Sequence, residues 1–222
     1  MVEASKKRDY LVAFDLDRTL LSVNSSHLVV KHSRRNGIMS NREFLQAIYF
    51  SIVYQFDLKN AHEILSSMMF WLNGVKESVA IELARDQVVP EMLRQLRPSA
   101  VAELERHRAQ CAHLLLLSSA LPYLCLPVAE HLGMDDVVCS SLEVIDGHFT
   151  GKPNGKLVYG KEKEKRLTAY CNSHGFSPSR TWYYGDAWTD RHILQRVGNP
   201  VCVSPEIKLG LLARRKGWKV IR

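Results

Sequence analysis

Tyr10-Leu-Val-Ala-Phe-Asp-Leu-Asp-Arg-Thr19 is the stretch on which the fold turns. Tyr10 to Phe14 is a continuous apolar run with no polar alternation, the pattern of a strand covered by helices on both faces. It stops abruptly at an acid, Asp15. The same grammar recurs downstream. His113 to Leu117 ends at Ser118, Thr181 to Tyr184 ends at Gly185-Asp186, and Val137 to Cys139, Pro200 to Val203 and Trp218 to Ile221 are further short apolar runs. Helical text separates them, most clearly Lys161 to His174, closed by Gly175. Asp146-Gly147 between β-like pieces predicts a small hairpin within Leu142 to Gly151. Strands alternating with helices predict an α/β fold with a doubly wound, Rossmann-like parallel sheet.

Between about Ser25 and Leu96 the text becomes helix-like and holds no buried strand pattern, so it reads as an all-helical insertion: a core of residues 1–23 and 98–222 and a cap of residues 24–97. At 222 residues, 46% hydrophobic and 24% charged, the chain is long enough for such a core and is neither low-complexity nor disordered. Its net charge of +7 favours an anionic partner, but the basic residues are mixed with Glu and apolar residues and have no aromatic interleaving, which argues against nucleic acid. Five widely spaced cysteines without a Cys-x-x-Cys pair, a polar Met1 to Asp9 and no apolar stretch of spanning length predict a cytoplasmic protein without a transmembrane segment. The nine histidines lack ligand spacing and none is assigned to metal.

In a parallel sheet the ligand site lies beyond the carboxyl ends of the strands. The residues that stand there are Asp15, Asp17 and Thr19, then Ser118, then Asp186 and Asp190, with Lys163 on the helix before the last of these strands. Carboxylates gathered in a half-buried crevice repel unless a cation sits between them, and an all-oxygen cluster suits Mg²⁺. Ser118 and Lys163 have the chemistry to hold phosphate oxygens.

This ordered set, Asp15-Leu-Asp-Arg-Thr19, Leu114-Leu-Leu-Leu-Ser118, Gly160-Lys-Glu-Lys163 and Tyr184-Gly-Asp-Ala-Trp-Thr-Asp190, resembles the haloacid dehalogenase superfamily, and within it the phosphoserine-phosphatase-like branch. The resemblance implies a phosphatase acting on a small phosphorylated substrate. Asp15 would be the nucleophile that forms an aspartyl-phosphate and Asp17 the general acid and base. Mg²⁺ would be held by Asp15, the main-chain carbonyl of Asp17 and Asp186, with Asp190 orienting metal-bound water or Lys163. Ser118, Lys163 and Thr19 would bind the phosphoryl group, with Thr19 also helping to fix the loop. An acid at Asp17 separates this pattern from the dehalogenases and ion-pumping ATPases of the superfamily, and so implies phosphate ester hydrolysis.

Three positions depart from the branch. Arg18 stands where many relatives have Gly, either adding a positive side chain at the entrance or pointing to solvent, and Ala187 replaces a common Ser. Asn24 stands nine positions after the nucleophile, where the phosphoserine phosphatases have a Glu for the substrate amine, which argues against phosphoserine. Arg18 and Asn24 are thus candidate specificity residues. The charge-free Phe44 to Phe56 reads as a buried cap helix, as a wall for an apolar or lipid-like phosphate, or as a surface that touches a membrane, and Met68 to Trp71 are candidates to line the same pocket, though four consecutive apolar residues cannot all face one side of a helix. The rival readings are a signalling receiver domain, which is shorter and has no such insertion, a phosphotransferase with the same motifs, and a non-catalytic phospho-ligand binder.

Overall fold

The computed structural model describes residues 8–46, 49 and 69–222. Six strands form one parallel sheet in the order β3-β2-β1-β6-β7-β8: β1 Leu11–Phe14, β2 His113–Ser118, β3 Asp136–Cys139, β6 Trp182–Gly185, β7 Asn199–Val203 and β8 Lys219–Ile221. β4 Leu142–Ile145 and β5 His148–Pro153 make a separate antiparallel hairpin, turning at Asp146 and Gly147 with φ of 48° and 72°. Two successive positive φ values are what a tight hairpin turn of matching twist demands, and the Asp-Gly pair meets it. The six-stranded sheet with flanking helices is the α/β architecture expected from the alternation.

Side chains of consecutive strand residues point to opposite faces, and both faces here are covered. Val12, Phe14, Leu114, Leu116, Tyr184, Val201 and Val203 belong to one buried cluster, with Leu104, Val128 and Met92 from helices. Leu11, Ala13, Leu115, Leu117, Tyr183 and Cys202 belong to the other, with Leu167, Ile193 and Leu209. This is why the strands read as unbroken apolar runs. Phe14 and Tyr184 stack at 4.3 Å between ring centroids across the central pair β1 and β6.

In the inserted segment the described residues include helices Ser25–Arg35, Glu77–Leu83 and Val89–Leu93. Its two ends are sewn together beside the core: Leu21 and Leu96 form an antiparallel bridge, Ser22 N–H donates to Gln95 O at 2.8 Å, and Arg97 N–H to Leu20 O at 2.7 Å. The hairpin packs onto the insertion as well, through a Lys76–His148 bridge and a cluster of Leu72, Leu142 and Phe149. Met69 and Trp71 pack against that cluster while Phe70 is 61% exposed, so these residues do not all line one pocket. Of the charge-free stretch from Phe44 to Phe56, residues 47, 48 and 50–56 lie outside the described residues, as does Met68. Among the described residues no helix is long and apolar enough to cross a membrane.

One close approach locks the loop before β6 to the turn before β7. Gly198 N–H donates to Pro178 O at 2.9 Å, and a Cβ added at Gly198 would stand 1.8 Å from the main-chain oxygen of Ser179. Neither backbone can yield cheaply. Gly198→Ala is expected to destabilise the fold by about 1–3 kcal/mol or more, read as a lower midpoint in urea unfolding with an unchanged slope.

Candidate functional site

β1 is flanked by β2 and β6, so the residues that follow these three strands emerge side by side at one sheet edge. Asp15 follows β1, Ser118 ends β2, and Asp186 follows β6. Asp15 N–H still donates to Tyr184 O at 2.9 Å, which carries the ladder one residue past the strand. The chain then turns sharply: Asp17 is extended, Arg18 is left-handed at φ 57°, Arg18 N–H reaches Val23 O at 3.0 Å and Leu21 N–H reaches Leu16 O at 2.9 Å. This tight loop aims the carboxylates of Asp15 and Asp17 in different directions.

Asp15, Asp186 and Asp190 each bring one carboxylate oxygen within 4.8 Å of the others, and all three are buried. Lys163, 4% exposed, lies among them. Its Nζ is 2.9 Å from Asp15 Oδ1 and 3.0 Å from Asp190 Oδ1, and it donates to the Tyr183 hydroxyl at 3.2 Å. Lys161 and Lys165 of the same helix are exposed, so Lys163 is the lysine of this alternating Lys and Glu stretch that points inward. Asp15 Oδ1 also accepts from Leu16 N–H at 2.8 Å, and the Thr19 hydroxyl donates to Asp186 Oδ1 at 3.2 Å. Thr19 is fully buried and so orients a carboxylate rather than presenting its hydroxyl to an incoming phosphate.

Asp17 stands apart from this cluster. Its Oδ1 accepts from Ser25 N–H at 2.7 Å and its Oδ2 from Ser25 Oγ at 3.1 Å, at the start of the helix Ser25–Arg35. Asn24 caps that same helix: its side-chain oxygen accepts from Ser26 N–H at 2.9 Å and Ser26 Oγ at 2.7 Å. The Asn24 oxygen is therefore engaged by the protein. Ser118 is fully buried, and its oxygen accepts from Ala120 N–H at 3.1 Å, leaving its own O–H to donate. Arg18 does not simply point to solvent, because its guanidinium lies 3.6 Å from Asp186 and 3.9 Å from Glu206.

The electrostatics follow from burial. Asp15 is pushed up to about 7, first by desolvation, opposed by Lys163 and reinforced by Asp190 and Asp17. Asp186 is pushed up to about 8, again by desolvation first and then by Asp15 and Asp190. Burial raises Asp17 as well, against the opposing donors of Ser25. Burial alone would lower Lys163, but Asp15 and Asp190 outweigh it and hold the ammonium charged well beyond its usual range.

These residues fit a hard divalent cation. Asp15, Asp186 and Asp190 outnumber the cations Lys163 and Arg18, the donors are all oxygen, and Asp190 Oδ2 is a buried oxygen with no hydrogen-bond partner. Gly185 allows this, since a Cβ there would stand 2.6 Å from Asp190 Oδ2. Tyr183, Ser25, Arg97 and Glu206 escaped the sequence reading. Tyr183 left a weak signal as a polar-tipped residue in a buried strand. The others lie on the insertion's ends or a later loop, and no local pattern marks them.

A family model described as haloacid dehalogenase-like hydrolase matches residues 12–195. The chain is 27% identical to the inhibition of morphological differentiation protein of Streptomyces azureus, over 94% of this chain and 76% of that one. It is 26% identical to a histidinol-phosphatase of Neisseria meningitidis, over 95% and 97%. Among solved structures, a Bordetella pertussis Tohama I protein of unknown function superposes with a TM-score of 0.86 at 22% identity, covering 97% of this chain and 99% of that one, a likeness of fold.

The carboxylate cluster makes a prediction for the metal-free protein. In the native state Asp15 and Asp186 keep protons up to about 7 and about 8, whereas the unfolded chain releases them near 3.8. The native state therefore binds more protons across this window, and its stability falls as pH rises through it. Chelator-treated protein is expected to lose thermal midpoint between about pH 5 and about pH 8, and a saturating divalent cation to cancel most of that loss. A difference between loaded and chelated midpoints that stays flat with pH would contradict this assignment.

Proposed function

This chain belongs to the haloacid dehalogenase-like hydrolase family, and from that premise and the geometry of its carboxylates we propose a Mg²⁺-dependent phosphatase that hydrolyses a phosphate monoester through an aspartyl-phosphate on Asp15. One observation carries the proposal: two acids one residue apart are held by opposite kinds of partner. Asp15 lies against the Lys163 ammonium, which favours the carboxylate that a nucleophile needs. Asp17 is buried against the two neutral donors of Ser25, with its affinity for a proton raised, which suits a group that must carry one.

A carboxylate oxygen of Asp15 attacks phosphorus, and the ester bond breaks as Asp17 passes its proton to the leaving oxygen. Asp17, now ionised, takes a proton from a water that attacks the aspartyl-phosphate. Inorganic phosphate leaves and Asp15 is a carboxylate again. Ser118 and Lys163 hold phosphoryl oxygens, Thr19 keeps Asp186 in place, and Asp190 anchors Lys163 from the other side. Mg²⁺, held by Asp15, the Asp17 main-chain carbonyl and Asp186 with Asp190 beside them, would neutralise charge on the phosphoryl group and the carboxylates.

Residues 24–97 act in this reading as a cap that shields the site from water, over a core of 1–23 and 98–222. The substrate is a small phosphate ester. The Asn24 oxygen is committed to its helix cap, which supports a substrate other than phosphoserine. The cysteines Cys111, Cys125, Cys139, Cys171 and Cys202 are all unpaired, which supports a reducing, cytoplasmic setting.

Phosphate release from a panel including O-phosphoserine, histidinol phosphate, an aryl phosphate and acyl-chain phosphates is expected with Mg²⁺ and not with EDTA. Asp15→Asn removes turnover, and Asp17→Asn lowers kcat by about 10²–10⁴. Turnover surviving in Asp15→Asn would overturn the mechanism. Phosphate appearing on an added alcohol instead of in solution would make the chain a phosphotransferase.

A further inference from the structure

Arg18 is the one non-glycine residue of the catalytic loop held at positive φ, 57°, a conformation that costs an L-residue strain and signals a use for its side chain. Its main chain is fixed from behind: the Arg97 guanidinium donates to Arg18 O at 3.0 Å and to Thr19 O at 3.3 Å, and to Ser204 Oγ at 3.1 Å. The Arg18 guanidinium is thereby set over Asp186, which is 4% exposed, at 3.6 Å, while Glu206 stands 3.9 Å from its other side. Both distances exceed a hydrogen bond, and the side chain is 53% exposed. It is a cation resting loosely between two anions. Glu206 is in turn tied to the Asp186 loop, for its N–H donates to Asp186 O at 3.0 Å and its Oε2 accepts from Trp188 N–H at 3.1 Å.

We propose that Arg18 is a built-in competitor for the metal site: its guanidinium rests over the Asp186 carboxyl while no Mg²⁺ is bound and is drawn aside onto Glu206 when the metal takes that carboxylate. Arg18 then sets the affinity for Mg²⁺ by competing for the charge of one ligand. This inference rests on the Mg²⁺ reading above. A loose, half-exposed pair suits the task, because such pairs contribute little and part easily, whereas a hydrogen-bonded buried pair would shut the metal out.

The test is calorimetric titration of chelator-stripped protein with Mg²⁺, beside thermal midpoints with and without the metal. Arg18→Gln, which keeps length and backbone demand, and Arg18→Gly, which also relieves the positive φ, are both expected to lower the Mg²⁺ dissociation constant about two- to fivefold. Arg18→Lys keeps it near the wild-type value, as does Lys208→Gln, a neighbouring exposed cation outside the constellation. Arg18→Gln also lowers the midpoint of the stripped protein more than that of the loaded protein. Glu206→Gln weakens Mg²⁺ binding in the wild-type background but not on top of Arg18→Gln. An unchanged dissociation constant in both Arg18→Gln and Arg18→Gly overturns the inference while leaving the Mg²⁺ reading intact. No Mg²⁺ binding by the wild type overturns that reading itself.

Discussion

Everything at the site depends on one ammonium group. Lys163 is buried within 3.0 Å of both Asp15 and Asp190, and without it the carboxylates that the sheet delivers to one edge would face one another uncompensated. Removing one partner of such a buried cluster costs about 3–5 kcal/mol, because the remaining charges have no solvent to turn to. The ion pairs are thus no reservoir of stability. They are a constraint that the apolar clusters on the two sheet faces must outweigh, and the unbroken runs of β1, β2 and β6 are what makes that possible.

A second constraint ties the inserted segment to the same edge. The two chain crossings pair through Leu21 and Leu96, and Arg97, at the exit, binds the carbonyls of Arg18 and Thr19. At the entrance, Ser25 donates both its N–H and its hydroxyl to Asp17. Asp17 is therefore held by the first residue of an inserted helix, and the main chain of Arg18 and Thr19 by Arg97 at the end of the insertion. A displacement of the insertion would alter the surroundings of Asp17 while leaving Asp15 on its strand, so the two carboxylates need not respond together to closure over a substrate.

The legible part of this molecule was the part written in local pattern. A strand buried on both faces must be apolar throughout, so the strands declared themselves; a polar group just past such a run has few reasons to be there, so Asp15, Ser118 and Asp186 stood out. Gly175 and the Asp146-Gly147 turn were readable because positive φ selects those residues. What could not be read depends on distance in space. Lys163 stood out through the order of the motifs and not through its local text, because its inward turn among lysines and glutamates that look alike is set by where Asp15 and Asp190 lie. Arg97 and Glu206 look like any charged residue at a helix start, and the role of Asn24 as a cap needed the helix boundary to be known.

The two residues between which chemistry would be divided, Asp15 and Asp17, are identical in type and nearly adjacent in sequence, so composition cannot distinguish them. The backbone does. Asp15 continues the ladder of β1 and so points into the space that the neighbouring strand ends enclose, where the Lys163 ammonium and the Leu16 N–H meet its carboxylate. Asp17 follows an abrupt reversal through the left-handed Arg18 and faces a helix start, where compensation comes from neutral donors. The Lys163 ammonium opposes the burial that pushes Asp15 up to about 7, and so favours the ionised form that can attack an electrophile. For Asp17 burial wins over the two Ser25 donors that oppose it, raising its affinity for a proton. In the proposed mechanism the division of labour between nucleophile and acid is in this sense a property of the turn, and Arg18, whose conformation makes the turn, is placed to influence both.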